Sequence, residues 1–170
     1  MLAVPGSAGI VLGAIGLTAA ALCAVPGLHK YWVGIWLGAA LVGAVVGSIL
    51  IARESSLRDL RLAGTPLHKF ALCLAPSIGA GLVMTAVHWY GGNLHAIPGT
   101  WLLLYGCALV AASAATTRII ATLGALFILF GLVALLLADD LQILMLGAGF
   151  GGLHIVFGFL IRRMGHGREA

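Results

Sequence analysis

A chain of 170 residues that is 62% apolar and only 8% charged cannot cover a water-facing surface, for which about a quarter of residues are normally charged. Composition therefore places it in lipid. The formal charge of +4 does not imply nucleic acid, because the basic residues flank apolar runs and no soluble basic domain exists to make phosphate contacts.

Six apolar runs are each long enough to cross about 30 Å of hydrocarbon at ~1.5 Å per residue. They cover 8–26, 31–52, 69–89, 97–116, 118–138 and 142–162. The first has no basic residue before it, Lys30 being the first in the chain, so it is expected to be a membrane helix and not a cleaved signal peptide. Leu22, ahead of Cys23, is too large for a lipoprotein anchor. Pro26-Gly27 ends this run.

The second run carries Trp32 and Trp36 and the glycine pairs Gly34–Gly38 and Gly43–Gly47. It ends at Arg53. Four-residue glycine spacing favours close helix contact. The connection from Arg53 to His68 admits two readings. One is a solvated loop; the other is a short interfacial helix with Leu57, Leu60 and Leu62 toward lipid. The third run contains LCLAPSIGAG (72–81), where Pro76 removes a backbone hydrogen bond and is expected to kink the helix beside Ser77 and Gly79. Gly91-Gly92-Asn93 then makes a turn. The fourth run starts with Pro98 in its first turn, where proline is harmless. Thr116-Thr117 separates it from the fifth, and Asp139-Asp140 separates the fifth from the sixth. The sixth holds GAGFGGLHIVFG (147–158).

These runs predict an all-α integral membrane bundle: one six-helix transmembrane domain over 1–170. The recurrence of Gly34-x-Trp36 as Gly99-x-Trp101, each followed 19 residues after its glycine by an arginine (Arg53, Arg118), suggests three repeated helical hairpins. With the amino terminus inside, Arg53, Arg58, Arg61, Lys69, Arg118, Arg162, Arg163 and Arg168 fall on the cytoplasmic side, and Lys30 falls outside. That asymmetry predicts cytoplasmic termini in a bacterial inner membrane. Cys23, Cys73 and Cys107 lie in apolar runs without paired spacing and are expected as small buried hydrophobes, not a disulfide or a thiolate metal site.

Polar groups at membrane depth are costly, so each asks for a reason. No Asp, Glu, Lys or Arg lies mid-helix, which argues against ion-coupled transport through a buried carboxylate. His154 is the one deep ionisable residue. It is either a ligand contact or a packing residue bonded to a carbonyl or hydroxyl. Tyr105, Thr85, Ser77 and the Pro76 kink complete a candidate intramembrane polar site. Haem is not expected, since no second deep histidine faces His154. At the outer boundary, His29, His88, His95, Asp139 and Asp140 form a candidate cluster able to bind zinc or another transition metal if their loops converge. No tight ligand spacing links them, so no cofactor is expected from the sequence itself. Nucleophile motifs, phosphate loops, dinucleotide fingerprints and paired catalytic carboxylates are all missing, and an enzyme is not expected.

The motifs AVPG (3–6), KFALCLAP (69–76), PGTWLLLYG (98–106) and GFGGLHIVFG (149–158) resemble an uncharacterised family of bacterial six-helix membrane proteins. A weaker likeness, in hairpin rhythm alone, is to HdeD-type acid-resistance membrane proteins. The first resemblance covers nearly the whole chain but implies no catalytic residues, and the second is a fold analogy. Three functional readings follow. The leading one is a non-enzymatic partner or accessory subunit, set in the lipid bilayer and packing against another membrane protein or itself through its glycine-rich helices. The alternatives are a channel or carrier for a small neutral or weakly basic solute, and an outer-face metal-binding or sensor protein.

Overall fold

The computed structural model describes residues 6–57, 66–114, 116–137 and 139–166. The described residues are all-α. The helices are α1 (Gly6–Ala24), α2 (Trp32–Leu57), α3 (Pro66–Tyr90), α4 (Ala96–Ser113), α5 (Arg118–Leu136), α6 (Asp139–Leu146) and α7 (His154–His166). A 3-10 turn, His29–Tyr31, leads into α2, and a π-helical segment, Gly147–Leu153, joins α6 to α7. Six spans are long and apolar enough to cross a membrane, the sixth running Leu141–Met164 through α6, the π segment and α7. Exposed Leu, Val, Ile and Phe side chains line these helices, as expected where the solvent is lipid.

The ends of the helices follow local chemistry. After α1 the chain turns at Gly27, whose φ is +87°, a conformation glycine adopts without steric cost. α3 ends in a left-handed cap. Gly92 has φ +68°, its N–H donates to the Trp89 carbonyl, and the Asn93 N–H donates to the His88 carbonyl. That is the Schellman pattern of paired bonds closing over the last turn. α4 stops at Ser113, short of the expected 116, because Thr117 is extended (φ −127°, ψ 153°) immediately before α5.

Two helices extend beyond their apolar runs. α2 continues past 52 to Leu57, where Arg53-Glu54-Ser55-Ser56 offers no glycine or proline to stop it. α3 begins at Pro66, with proline in the first helical position. The interfacial-helix reading falls on residues 58–65, outside the described residues, as does the Leu57 side chain. α3 also continues through Pro76 without a break in the helix.

Contacts divide the chain into two compact units. One contains α3, α4, α5 and α6; the other contains α1, α2, the π segment and α7. In the first unit α4 is central, packing on α3 and α5. α4 and α5 are antiparallel and meet through glycine. A methyl group on Gly106 would stand 2.7 Å from the Gly124 carbonyl oxygen, and one on Gly131 would stand 2.7 Å from Leu103 Cγ. Phe127, Leu102 and Leu109 are among the fully buried side chains.

In the second unit α1 is central, packing on α2 and on the π segment with α7. Its glycines meet the sixth span in antiparallel register: Gly9 against Gly158, Gly13 against the Gly151 carbonyl, Gly16 against Phe150. On the sixth span, Gly147 faces Ala20 and Gly151 faces Leu17. Lipid tails are as apolar as Leu, so helices in a membrane gain by close van der Waals contact, which small residues allow. Of the three hairpins suggested by the sequence, spans one and two touch, as do spans three and four. The third pair is divided: α6 touches α5, while the π segment and α7 pack on α1.

Candidate functional site

His154 opens α7 immediately after the π segment and is buried. Its ring stacks on Phe150, with centroids 6.1 Å apart and planes 14° apart. The Phe150 and Gly149 carbonyls lie beside the imidazole. A π turn shifts the backbone pairing register, and here both carbonyls belong to that turn. Phe150 also meets Trp36 of α2, at 6.1 Å and 50°. The second unit therefore holds an aromatic row of Trp36, Phe150 and His154. The Trp36 indole N–H is buried without a nitrogen or oxygen acceptor and has the Cys23 thiol beside it, a weak acceptor.

In the first unit, buried Thr85 donates to the Gly81 carbonyl at 2.8 Å and accepts from Trp101 Nε1 at 2.9 Å. This bond ties α3 to α4. One turn further along α4, the Tyr105 ring packs edge-on against Phe127 of α5 at 4.9 Å. Ser77 is half-buried and Pro76 exposed. The candidate intramembrane set is thus distributed: Tyr105, Thr85, Pro76 and Ser77 belong to one unit and His154 to the other. Within its unit, Thr85 meets Trp101, while Tyr105 turns toward α5.

Of the candidate outer-face residues, His88 and His29 have local partners. His88 Nε2 lies 3.3 Å from Thr100 Oγ1, and the Thr100 hydroxyl donates to the Ala96 carbonyl at 2.7 Å. With that proton committed, Thr100 accepts and His88 Nε2–H donates. His29 Nδ1 lies 3.3 Å from the Cys23 carbonyl, which only accepts. His95 is exposed at the start of α4 and makes no side-chain cap bond. The Asp139 and Asp140 side chains lie outside those described. Among the described residues, no group of three His, Cys, Asp or Glu is placed to hold a metal ion.

Three polar residues that hydropathy did not single out are engaged inside the units. Gln142 is 1% exposed, and its side-chain amide donates to the Leu137 carbonyl at 2.9 Å, closing the turn between α5 and α6. Thr116 is equally buried and donates to the Ala112 carbonyl. Trp36, expected at the membrane boundary, joins the aromatic row. Of the cysteines, Cys23 is buried as expected, but Cys107 is exposed. Residue 107 lies next to Gly106 on α4, on a face that α5 does not cover. The chain matches no protein-family model, no curated protein and no solved structure.

Proposed function

We propose that the chain is a non-enzymatic subunit of a bacterial inner-membrane assembly, with cytoplasmic termini, that packs against another membrane protein or a second copy of itself. The observation that carries this reading is the bare glycine face of α2. Methyl groups at Gly34 and Gly38 would meet nothing within 4 Å, and the same holds for Gly79 on α3. Gly13, Gly16, Gly106, Gly124 and Gly131, by contrast, lie against the backbone of a neighbouring helix. Gly34 and Gly38 are one turn apart, the spacing that lets a second helix approach closely. Leu41, Val42, Val45 and Ile49 continue an exposed apolar surface along α2.

The buried polar side chains support packing over conduction. Thr85, Thr116 and Gln142 bond to carbonyls of their own span or of an adjoining turn, which lowers the cost of burying them, and the His154 ring is stacked on Phe150. Native mass spectrometry of the full chain in mild detergent tests the reading. A defined oligomer, or a stoichiometric co-purifying membrane protein, is expected, and Gly38→Leu should shift it to monomer. A strictly monomeric species with no co-purifying protein sinks it.

A further inference from the structure

The sixth span is a single apolar stretch, Leu141–Met164, but its two ends have different neighbours. α6 packs on α4 and α5, whereas the π segment and α7 pack on α1. Gln142 anchors α6 in the first unit, its amide donating to the Leu137 carbonyl just past α5. In the second unit α1 grips the chain from Gly147 onward. A methyl group on Gly147 would stand 2.9 Å from Ala20 Cβ, one on Gly151 would stand 2.8 Å from Leu17 Cγ, and one on Gly16 would stand 2.7 Å from the Phe150 carbonyl oxygen. The boundary between the units falls between Leu146 and Gly147, which is also the junction of α6 with the π segment. Packing partners and backbone hydrogen-bond register thus change at the same peptide bond.

Local chemistry suits bending there. Four of the seven residues of the segment, Gly147, Gly149, Gly151 and Gly152, are glycine, the residue with the greatest backbone freedom. A π turn replaces the i→i+4 bonding of the α-helix by i→i+5, and sharp kinks in long helices arise at such turns. Gly152 has room beside it, since a methyl there would meet nothing within 4 Å. Phe150 packs on Trp36 and His154, inside the second unit. α3 gives the contrast. It runs through Pro76 as one helix and stays within one unit, so a helix-breaking residue does not by itself divide a span.

We infer that the π segment is a hinge within the sixth span, letting α6, held with α4 and α5, change its angle to α7, held with α1. Hinges are a few residues, often small, that absorb the change in φ and ψ between elements moving as bodies. Motions of this kind fall in the microsecond to millisecond range. α2, with its bare glycines Gly34 and Gly38, belongs to the same unit as α7, so that face is carried on one side of the hinge. The hinge itself does not depend on whether a partner binds there.

The test places pairs of nitroxide labels on the full chain, in a C23A/C73A/C107A background, in bilayers and diluted with unlabelled protein. One pair, Leu141→Cys with Phe159→Cys, uses exposed positions that bracket the π segment. The other, Tyr31→Cys with Ile49→Cys, uses exposed positions along α2. In a straight helix either pair is separated by about 27 Å, at ~1.5 Å per residue. Double electron–electron resonance should give a distance distribution roughly twofold broader for the sixth-span pair, the glycine-rich turn adding bending that α2 lacks. Gly152→Ala, whose methyl meets nothing within 4 Å, should narrow it toward the α2 width. Amide hydrogen exchange on the unlabelled chain gives a second measurement, and Gly147–Leu153 should exchange faster than Leu102–Ala112 of α4. Equal widths for the two pairs overturn the hinge. So does a broad distribution unchanged by Gly152→Ala, or exchange at Gly147–Leu153 as slow as in α4, since either puts the bend elsewhere.

Discussion

Gly106 and Gly124 each stand where a side chain on the other would strike backbone: a methyl on either would lie 2.7 Å from the opposite carbonyl oxygen. Neither obstacle is a flexible side-chain tip, so relief requires α4 and α5 to move apart. Gly106→Ala should therefore destabilise the protein by about 1–3 kcal/mol, the usual cost of overpacking. Gly79→Ala, whose methyl meets nothing within 4 Å, should be neutral or slightly stabilising, since alanine is the better helix former. Thermal unfolding in detergent, followed by circular dichroism, compares the two. Equal midpoints would show that the α4–α5 contact does not depend on glycine.

The bond between α3 and α4 gives a second measurable quantity. Thr85→Val keeps the side-chain shape but removes the acceptor for Trp101 Nε1, at 2.9 Å. Bonds between membrane helices average about 0.6 kcal/mol and reach ~1.7 kcal/mol, so the loss should fall in that range. Thr85→Ser should retain most of it. A double-mutant cycle with Trp101→Phe isolates the pair, and a coupling energy of zero would mean the two side chains contribute independently.

His154 separates packing from ligand contact. Its imidazole is buried and stacks on Phe150. His154→Ala removes a buried, stacked ring and leaves a cavity, a loss of about 2–5 kcal/mol. His154→Phe, which keeps a ring against Phe150, should recover part of it. If His154→Ala unfolds at the wild-type temperature, the residue is not a packing element of the sixth span, and a ligand role regains its force.

How far these features could be read from sequence depends on their range along the chain. The spans were legible because hydropathy is local, and so was the burial of His154, twelve residues inside its apolar run. The role of Trp36 was not, because its partner Phe150 lies on a distant span and a tryptophan near a helix end equally suits the membrane boundary. The π segment was hidden for a related reason: Gly-Ala-Gly-Phe-Gly-Gly fits an α-helix, a π turn or a break equally well. Gln142 sits at the start of a predicted helix, where a polar residue looks unremarkable until its amide is found on the Leu137 carbonyl. The division into two units rests on which glycines face which backbones, and spacing alone cannot choose between a neighbour in the chain and one across it. The same ambiguity made the third hairpin look like the first two.

The orientation of the spans follows from charge and can be checked from outside the cell. An even number of spans puts both termini on one side. That side then carries Arg53, Arg58, Arg61, Lys69, Arg118, Arg162, Arg163 and Arg168, while the opposite side carries only Lys30. Loops this short obey the positive-inside bias, so Asn93 in the α3–α4 turn and Asp140 at the start of α6 should face outward, and Ser56 at the end of α2 should face the cytoplasm. In a C23A/C73A/C107A background, a membrane-impermeant maleimide applied to intact cells should label Asn93→Cys and Asp140→Cys. Ser56→Cys should react only after permeabilisation. Labelling of Ser56→Cys in intact cells, with Asn93→Cys spared, would invert the protein.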